Sequence, residues 1–204
     1  MGLVERCHRR ARGDKILMLY LASRSPRRTK LLKEAGIRHR ILKIDFKESC
    51  PSGAGPVWVA KKNALGKAKM ASAKIKNGLI LAADTFVYFK GRIIGKPGSK
   101  REAEKTLRSL QGIWHIVYTA VAILDVKNSK VKKNILFCEK TKVRLKAMSL
   151  SRIRGYFRRV NPMDKAGAYA IQSRSNNIVQ EVRGSFSNAV GLPMERLCAR
   201  MKKL

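Results

Sequence analysis

Gly78-Leu79-Ile80-Leu81-Ala82-Ala83-Asp84 is an apolar run that closes on a carboxylate. A short, uninterrupted apolar segment after a glycine reads as a buried strand ending at Asp84. Thr85-Phe86-Val87-Tyr88-Phe89 and Arg92-Ile93-Ile94-Gly95-Lys96-Pro97 then flank Lys90-Gly91. A two-residue loop of that kind between β-rich segments predicts a tight hairpin. Pairing sets 89 opposite 92, 88 opposite 93 and 85 opposite 96, which brings Lys96 beside Thr85 and Asp84. A slip of one residue would turn Lys96 to the other face.

Outward from this hairpin, strands and helices mix without strict alternation. A strand over 16–22 leads to Ser23-Arg24-Ser25-Pro26-Arg27-Arg28. Ser25 suits an N-cap and Pro26 a first helical position, so a helix is predicted to about Ala35, with Gly36 as its stop. A short strand is expected at 40–44. A second helix is predicted over 57–75, where Ala60, Ala64, Ala68 and Ala71 form a small-residue stripe. Ser99 and Glu102 make a capping box for a helix whose Ala103, Leu107 and Leu110 face inward. Strands follow at 114–125 and 131–147; in the second, Thr141, Val143 and Leu145 alternate with Lys140, Lys142, Arg144 and Lys146. A helix at 149–159, a strand-like stretch at 164–172 and a Gly-rich segment at 184–193 before a final short helix complete the pattern. The fold class is α/β, a mixed twisted sheet with flanking helices.

With 204 residues and 45% hydrophobic content, the chain can bury one substantial core. We read residues 1–15 as a basic N-terminal tail and 16–204 as a single domain. Wholesale disorder, collagen, coiled coil and a disulfide scaffold are excluded. Lys and Arg number 46 against 13 Asp and Glu, a formal +33. Such a field draws polyanions (nucleic acid, an anionic membrane or phosphorylated small molecules) and leaves the fold open. Cys7, Cys50, Cys138 and Cys198 show no zinc-binding spacing and are expected as reduced thiols. The apolar run from Ile16 to Ala22 is too short to span a membrane and is followed by Arg24, Arg27 and Arg28. A soluble, cytoplasmic protein with no membrane partner is therefore expected.

Several groups could carry chemistry, each with a plainer alternative. Ser23 through Arg28 is either a phosphate cradle, with helix N–H groups and bidentate arginines, or a capped helix with solvated arginines. Asp84 with Lys96 either holds a divalent metal or takes a proton from water, or is a structural ion pair at a turn. Lys67 either snorkels beside the alanine stripe or points at an anion. Glu48, beside Asp45, is a metal ligand or an ordinary loop acid. His8, His39 and His115 do not cluster, which argues against a histidine metal site or a Ser-His-Asp triad. The aromatic residues are scattered, without the interleaved aromatic and basic pattern of an RNA-binding sheet. The row Lys140, Lys142, Arg144 and Lys146 reads as a solvated face and is the best candidate for nucleic-acid contact.

Leu21-Ala22-Ser23-Arg24-Ser25-Pro26-Arg27-Arg28-Thr29-Lys30-Leu31-Leu32 resembles the opening motif of the Maf family. These are nucleoside triphosphate pyrophosphatases, historically called septum formation proteins. Ala83-Asp84-Thr85 with Gly95-Lys96-Pro97 resembles its second motif. Asp164-Lys165-Ala166-Gly167-Ala168-Tyr169-Ala170-Ile171-Gln172 and Gly184-Ser185-Phe186-Ser187-Asn188-Ala189-Val190-Gly191-Leu192-Pro193 resemble two more. The resemblance runs in order over about residues 17–197. It implies a fold similar to inosine triphosphatases, two lobes around a cleft, and hydrolysis of a nucleoside triphosphate to monophosphate and pyrophosphate with a divalent cation, Mg or Mn. By the family pattern Asp84 matches the general base, Lys96 the phosphate-holding lysine and Lys67 the lysine of the second helix. Ser23, Arg27 and Arg28 match the triphosphate cradle and Glu48 the acid ending the family's DxDE stretch. Arg27, Thr85 and Gln172 match positions that set base preference, and the Thr85–Gln172 pair is that of the dTTP/UTP branch. The implied partners are the nucleotide, a second copy in a homodimer, and nucleic acid held weakly through phosphate contacts. Departures are Lys47 where the family often has Asp, Ser173 for Gly, Arg152 and Arg154 on a normally acidic helix, and an acid-poor 51–58 stretch holding Trp58. They motivate an alternative: a Maf-like protein with weakened catalysis acting as a basic nucleic-acid-binding protein.

Overall fold

The computed structural model describes residues 17–171 and 178–202. The expected tail at 1–15 and the site candidate Gln172 lie outside the described residues. The elements are β1 (Leu19–Leu21), α1 (Pro26–Glu34), β2 (Arg40–Ile41), α2 (Pro56–Ser72), β3 (Gly78–Phe89), β4 (Arg92–Ile94) and α3 (Lys100–Leu110). There follow β5 (Trp114–Lys127), β6 (Lys130–Leu145), α4 (Leu150–Arg159), a 3-10 turn at Ala166–Ala168, β7 (Val179–Arg183), α5 (Phe186–Val190) and α6 (Met194–Met201). Among the described residues seven strands form one mixed sheet, ordered β2-β1-β3-β5-β6-β7, with β4 also on β3. β1 runs parallel to β2 and β3, and the other pairs are antiparallel.

Side-chain alternation along β3 and β5 assigns each helix a face. Ile80, Ala82, Ala120, Ala122 and Leu124 meet Ala60, Ala64, Ala68 and Ala71 of α2. The alanine stripe lets helix and sheet approach closely, and its four methyls are fully buried. On the opposite face, Leu81, Val121 and Ile123 pack under α1, α5 and α6 with Leu32, Leu192 and Leu197. Val87, Val117, Val143 and Leu145 pack under α3 and α4 with Leu107, Leu110, Ile153 and Tyr156. These two clusters are the cores of two lobes, and β3, β5 and β6 run through both.

The hairpin has the expected register, with Phe89 opposite Arg92 and Tyr88 opposite Ile93. Lys90 and Gly91 both take positive φ, 46° and 75°, as a two-residue hairpin turn requires. Ser99 Oγ accepts from Glu102 N–H at 3.1 Å, while the Glu102 carboxylate turns to Gly98 N–H at 2.7 Å.

Other expectations need correction. β3 does not end at Asp84 but continues to Phe89, because β5 pairs with it from Gly78 to Tyr88. β4 ends at Ile94, so no ladder sets Thr85 against Lys96. Residues 164–171 form no strand: Gly167 and Ala168 take positive φ, 70° and 63°, which curls the segment into its 3-10 turn. β7 was not foreseen, and β2 is only Arg40–Ile41. Cys50 and Cys138 are free thiols, but Cys198 is disulfide-bonded, a pairing that sequence separation could not indicate. Among the described residues, no helix is long and apolar enough to cross a membrane.

Candidate active site

β1 pairs with β3 only as far as Leu21–Leu81, extended by the Ala22 N–H to Leu81 carbonyl bond of 2.8 Å. β4 pairs with β3 from Val87 onward. On that edge residues 82–86 of β3 have no neighbouring strand, and a cavity of about 540 Å³ opens in the gap. This explains why Asp84 lines the cavity from mid-strand: its neighbour β1 ends there. The volume falls within the range of small-molecule sites.

Asp84 is 3% exposed and points toward α2. Lys67 Nζ donates to Asp84 Oδ1 at 2.6 Å, to Glu48 Oε1 at 2.6 Å and to the Ala83 carbonyl at 3.5 Å. Lys67 is therefore aimed into the site rather than snorkelling, and it is Asp84's ion-pair partner in place of Lys96. Lys96 lines the same cavity. Burial would raise the Glu48 carboxyl, but the Lys67 ammonium, helped by Lys96, holds it below the usual carboxylate range. Asn63 donates to Asp84 Oδ2 at 3.2 Å and to the Ser49 carbonyl at 3.1 Å, and it accepts from Ser49 N–H at 2.9 Å. One amide thus fixes the buried carboxylate and the loop that carries Glu48.

Ser25 occupies the N-cap of α1, but its side chain makes no cap bond; its N–H donates to Ser23 Oγ at 3.2 Å. Arg28 Nη1 donates to the same oxygen at 3.0 Å. Both lone pairs of Ser23 are then taken, and its hydroxyl proton is left for an acceptor in the cavity. Arg28 also donates from Nε to the Gly191 carbonyl at 2.8 Å and from Nη2 to Thr85 Oγ1 at 2.9 Å. Three of its five N–H donors are spent inside the protein, leaving two for a ligand. Burial pulls the guanidinium down to about 10, against the favourable field of Asp84, so it stays cationic at neutral pH. Thr85 Oγ1 lies 3.0 Å from Thr119 Oγ1, which donates to the Asn188 carbonyl at 3.0 Å. The motif around residues 184–193 therefore closes the floor of the site.

Arg27 Nη2 donates to the Asp164 carbonyl at 3.2 Å, and Nη1 lies 3.7 Å from the Asp164 carboxylate. Burial lowers the Arg27 guanidinium and Asp164 opposes the shift. The 164–171 segment forms a wall of the cavity and is pinned at three points. Gly167 N–H donates to the Gly95 carbonyl at 3.1 Å, Ala170 N–H to Tyr156 Oη at 2.8 Å, and Tyr169 shares a 2.7 Å hydrogen bond with buried His115.

Ser23, Arg27, Arg28, Glu48, Lys67, Asp84, Thr85 and Lys96 thus line one cavity. Sequence reasoning missed Asn63 and the roles of Asp164, Gly191 and His115. The glycine of the final motif was the one available signal, since its φ of 127° is reserved for that residue type. The Glu48 and Asp84 carboxylates converge on the single Lys67 Nζ, and they are two of the cavity's acids that could hold a cation such as Mg or Mn through oxygens. Among the described residues no three His, Cys, Asp or Glu side chains gather as a cage. A cation here would complete its shell from ligand oxygens and water.

Known proteins give a consistent account. The Ham1 protein of Staphylococcus aureus superposes with a TM-score of 0.50 at 14% identity, covering 91% of this chain and 98% of that one. The HAM1 protein of Coxiella burnetii gives 0.50 at 15%, covering 93% and 100%. They share this fold. In sequence, the chain is 40% identical to the dTTP/UTP pyrophosphatase of Pelotomaculum thermopropionicum, over 91% of this chain and 95% of that protein. It is 37% identical to the dTTP/UTP pyrophosphatase of Dictyoglomus thermophilum over the same shares. Residues 18–204 match the Maf-like protein family, so the chain belongs to the Maf family.

Proposed function

We propose that this chain hydrolyses dTTP and UTP, together with modified pyrimidine triphosphates, to the monophosphate and pyrophosphate. The observation that carries the proposal is the buried Asp84 carboxylate, held by Lys67 and Asn63 in a cavity shared with Arg27, Arg28 and Lys96. Asp84 accepts the proton of the water that attacks the α-phosphorus. Arg27, Arg28 and Lys96 neutralise the charge that builds on the departing pyrophosphate, and preorganised cations of this kind do most of such work. Ser23 donates its free hydroxyl proton to a phosphate oxygen. Glu48, with Asp84, would hold a divalent cation, Mg or Mn, which would add to the neutralisation of the triphosphate. Thr85 acts on base preference through Arg28 and Thr119, whose contacts it shares. By the family pattern Gln172, whose amide is both a donor and an acceptor, reads a pyrimidine edge. The pyrophosphatase names of relatives at 40% and 37% identity support this choice of substrate.

The proposal places the enzyme in the cytoplasm, as a homodimer whose size light scattering measures. A nucleic-acid-binding protein without catalysis is disfavoured by the complete Asp84–Lys67–Glu48 arrangement, and the divergent Lys47 is exposed outside the cavity lining.

The test is pyrophosphate release across dTTP, UTP, CTP, GTP and 7-methyl-GTP with Mg or Mn. Preference for dTTP and UTP is expected, and Asp84→Asn should reduce turnover by about 10²–10⁴-fold. Equal turnover by Asp84→Asn, or a preference for 7-methyl-GTP, overturns the reading.

A further inference from the structure

The sheet brings together aromatic and basic residues that the sequence keeps apart. β5 pairs with β6 so that Trp114, Ile116 and Tyr118 stand directly opposite Arg144, Lys142 and Lys140. β3 places Tyr88 opposite Ile116, and β7 places Arg183 opposite Lys142 and Glu181 opposite Arg144. Directly opposed residues project from the same face, so these side chains share one surface. Further along the same strands that surface is covered by α2, at Ala120 and Ala122. Trp114 and Ile116 join none of the three apolar clusters and are half-exposed, while Lys140, Lys142 and Arg183 are exposed. The reverse side of these strands is packed beneath α3 and α4 through Val117, Val143 and Leu145. An open half-face remains, which borders the Asp84 cavity where Tyr118 stands opposite cavity-lining Phe86, their rings 6.0 Å apart.

We infer that this half-face is a docking platform for single-stranded nucleic acid. Four cations, Lys140, Lys142, Arg144 and Arg183, share it with one acid, Glu181, which Arg183 already pairs at 2.7 Å. A second copy of the chain would set these cations against their like, whereas a phosphate backbone complements them. The aromatic residues decide for a single strand. Trp114 and Tyr118 lie four residues apart on one strand, about 13 Å, with the Tyr88 ring edge-on to Tyr118 at 6.0 Å. The Arg183 guanidinium lies over the Trp114 ring at 4.6 Å, and unpaired bases stack on aromatic rings and on guanidinium planes alike. Duplex bases are already stacked on each other and have no face to offer. Cations interleaved with stacking surfaces on a flat sheet are what a single strand needs for affinity without sequence readout.

Fluorescence anisotropy of a labelled oligothymidylate with the full chain tests this. Wild-type affinity should fall steeply with salt. Lys140→Gln/Lys142→Gln should weaken binding about tenfold and flatten the log–log salt slope by about 1.4, at about 0.7 per lost phosphate contact. Trp114→Leu should weaken binding about tenfold with an unchanged slope, since a stacking contact releases no counterion. Lys105→Gln/Arg108→Gln, an equal charge change on exposed positions of α3, should bind as wild type does. Equal loss in that control means that overall charge binds the oligonucleotide, and the proposal fails. It also fails if duplex binds as tightly as single strand, if phosphatidylserine vesicles show the same dependence on the face variants, or if those variants change only the oligomeric state. Unchanged melting temperatures establish that the variants fold, independently of whether the chain is a pyrophosphatase.

Discussion

Arg28 Nε donates to the Gly191 carbonyl at 2.8 Å, joining groups 163 positions apart. The same guanidinium reaches Ser23 and Thr85, so three of the four motifs meet on one side chain. Arg28→Lys keeps the charge, but a single ammonium cannot serve three acceptors arranged around a planar fork. Leaving buried acceptors unpaired should cost about 2–4 kcal/mol in denaturant unfolding. A loss below about 0.5 kcal/mol, the range of ordinary surface substitutions, would show that the fork does not hold the motifs together.

Lys67 holds Glu48 and Asp84 in the same site, and Lys67→Met leaves the two carboxylates without that ammonium. Turnover over KM for dTTP should fall about 10²-fold or more. Glu48 loses what holds it down, so the acid limb of the pH–rate profile should move to higher pH. An acid limb that stays in place would show that Glu48 does not titrate with the reaction.

His115 provides a stability measurement. Burial pulls its imidazole from 6.5 to about 4, with the Ile113 main chain opposing. Between those values the unfolded chain binds a proton that the folded chain does not. Stability is therefore complete above pH 6.5 and falls as pH drops toward 4. Denaturant unfolding at pH 7 and pH 5 should differ by about 2 kcal/mol more in wild type than in His115→Gln, whose amide can still bond Tyr169. Equal pH dependence in the two proteins would show that His115 titrates normally.

Gly167 has φ 70°, and a Cβ there would stand 2.7 Å from Val87 Cγ2 and 3.2 Å from the Tyr169 ring. Gly167→Ala should destabilise by about 1–3 kcal/mol. It should also raise KM for dTTP more than it lowers kcat, because the 164–171 wall leaves its Gly95 anchor. Unchanged KM would separate that wall from substrate binding.

What could be read in the sequence was local. Four alanines at helical spacing, Lys90-Gly91 between β-rich segments and Pro26 after Ser25 each specify geometry from near neighbours. Asp84 lines the cavity, as a carboxylate at a strand end would, but the strand that ends there is β1, not its own. Asn63 was not legible, because its partners Ser49 and Asp84 lie 14 and 21 residues away and nothing on α2 marks the turn toward them. The 164–171 segment resembled a strand in composition, while its conformation is fixed by Gly95, Tyr156 and His115. The aromatic residues looked scattered because only the β5–β6 register sets Trp114 beside Arg144 and Tyr118 beside Lys140. Contacts set by long-range pairing leave no periodic trace in the chain.

β3, β5 and β6, at 12, 14 and 16 residues, pass unbroken from one lobe to the other. Jaws joined by a flexible tether swing freely; these are joined by hydrogen-bonded ribbon, and widening them means warping the rungs of both ladders that join these three strands. The cavity between the lobes is in that sense pre-shaped, a fixed mould instead of a closing trap.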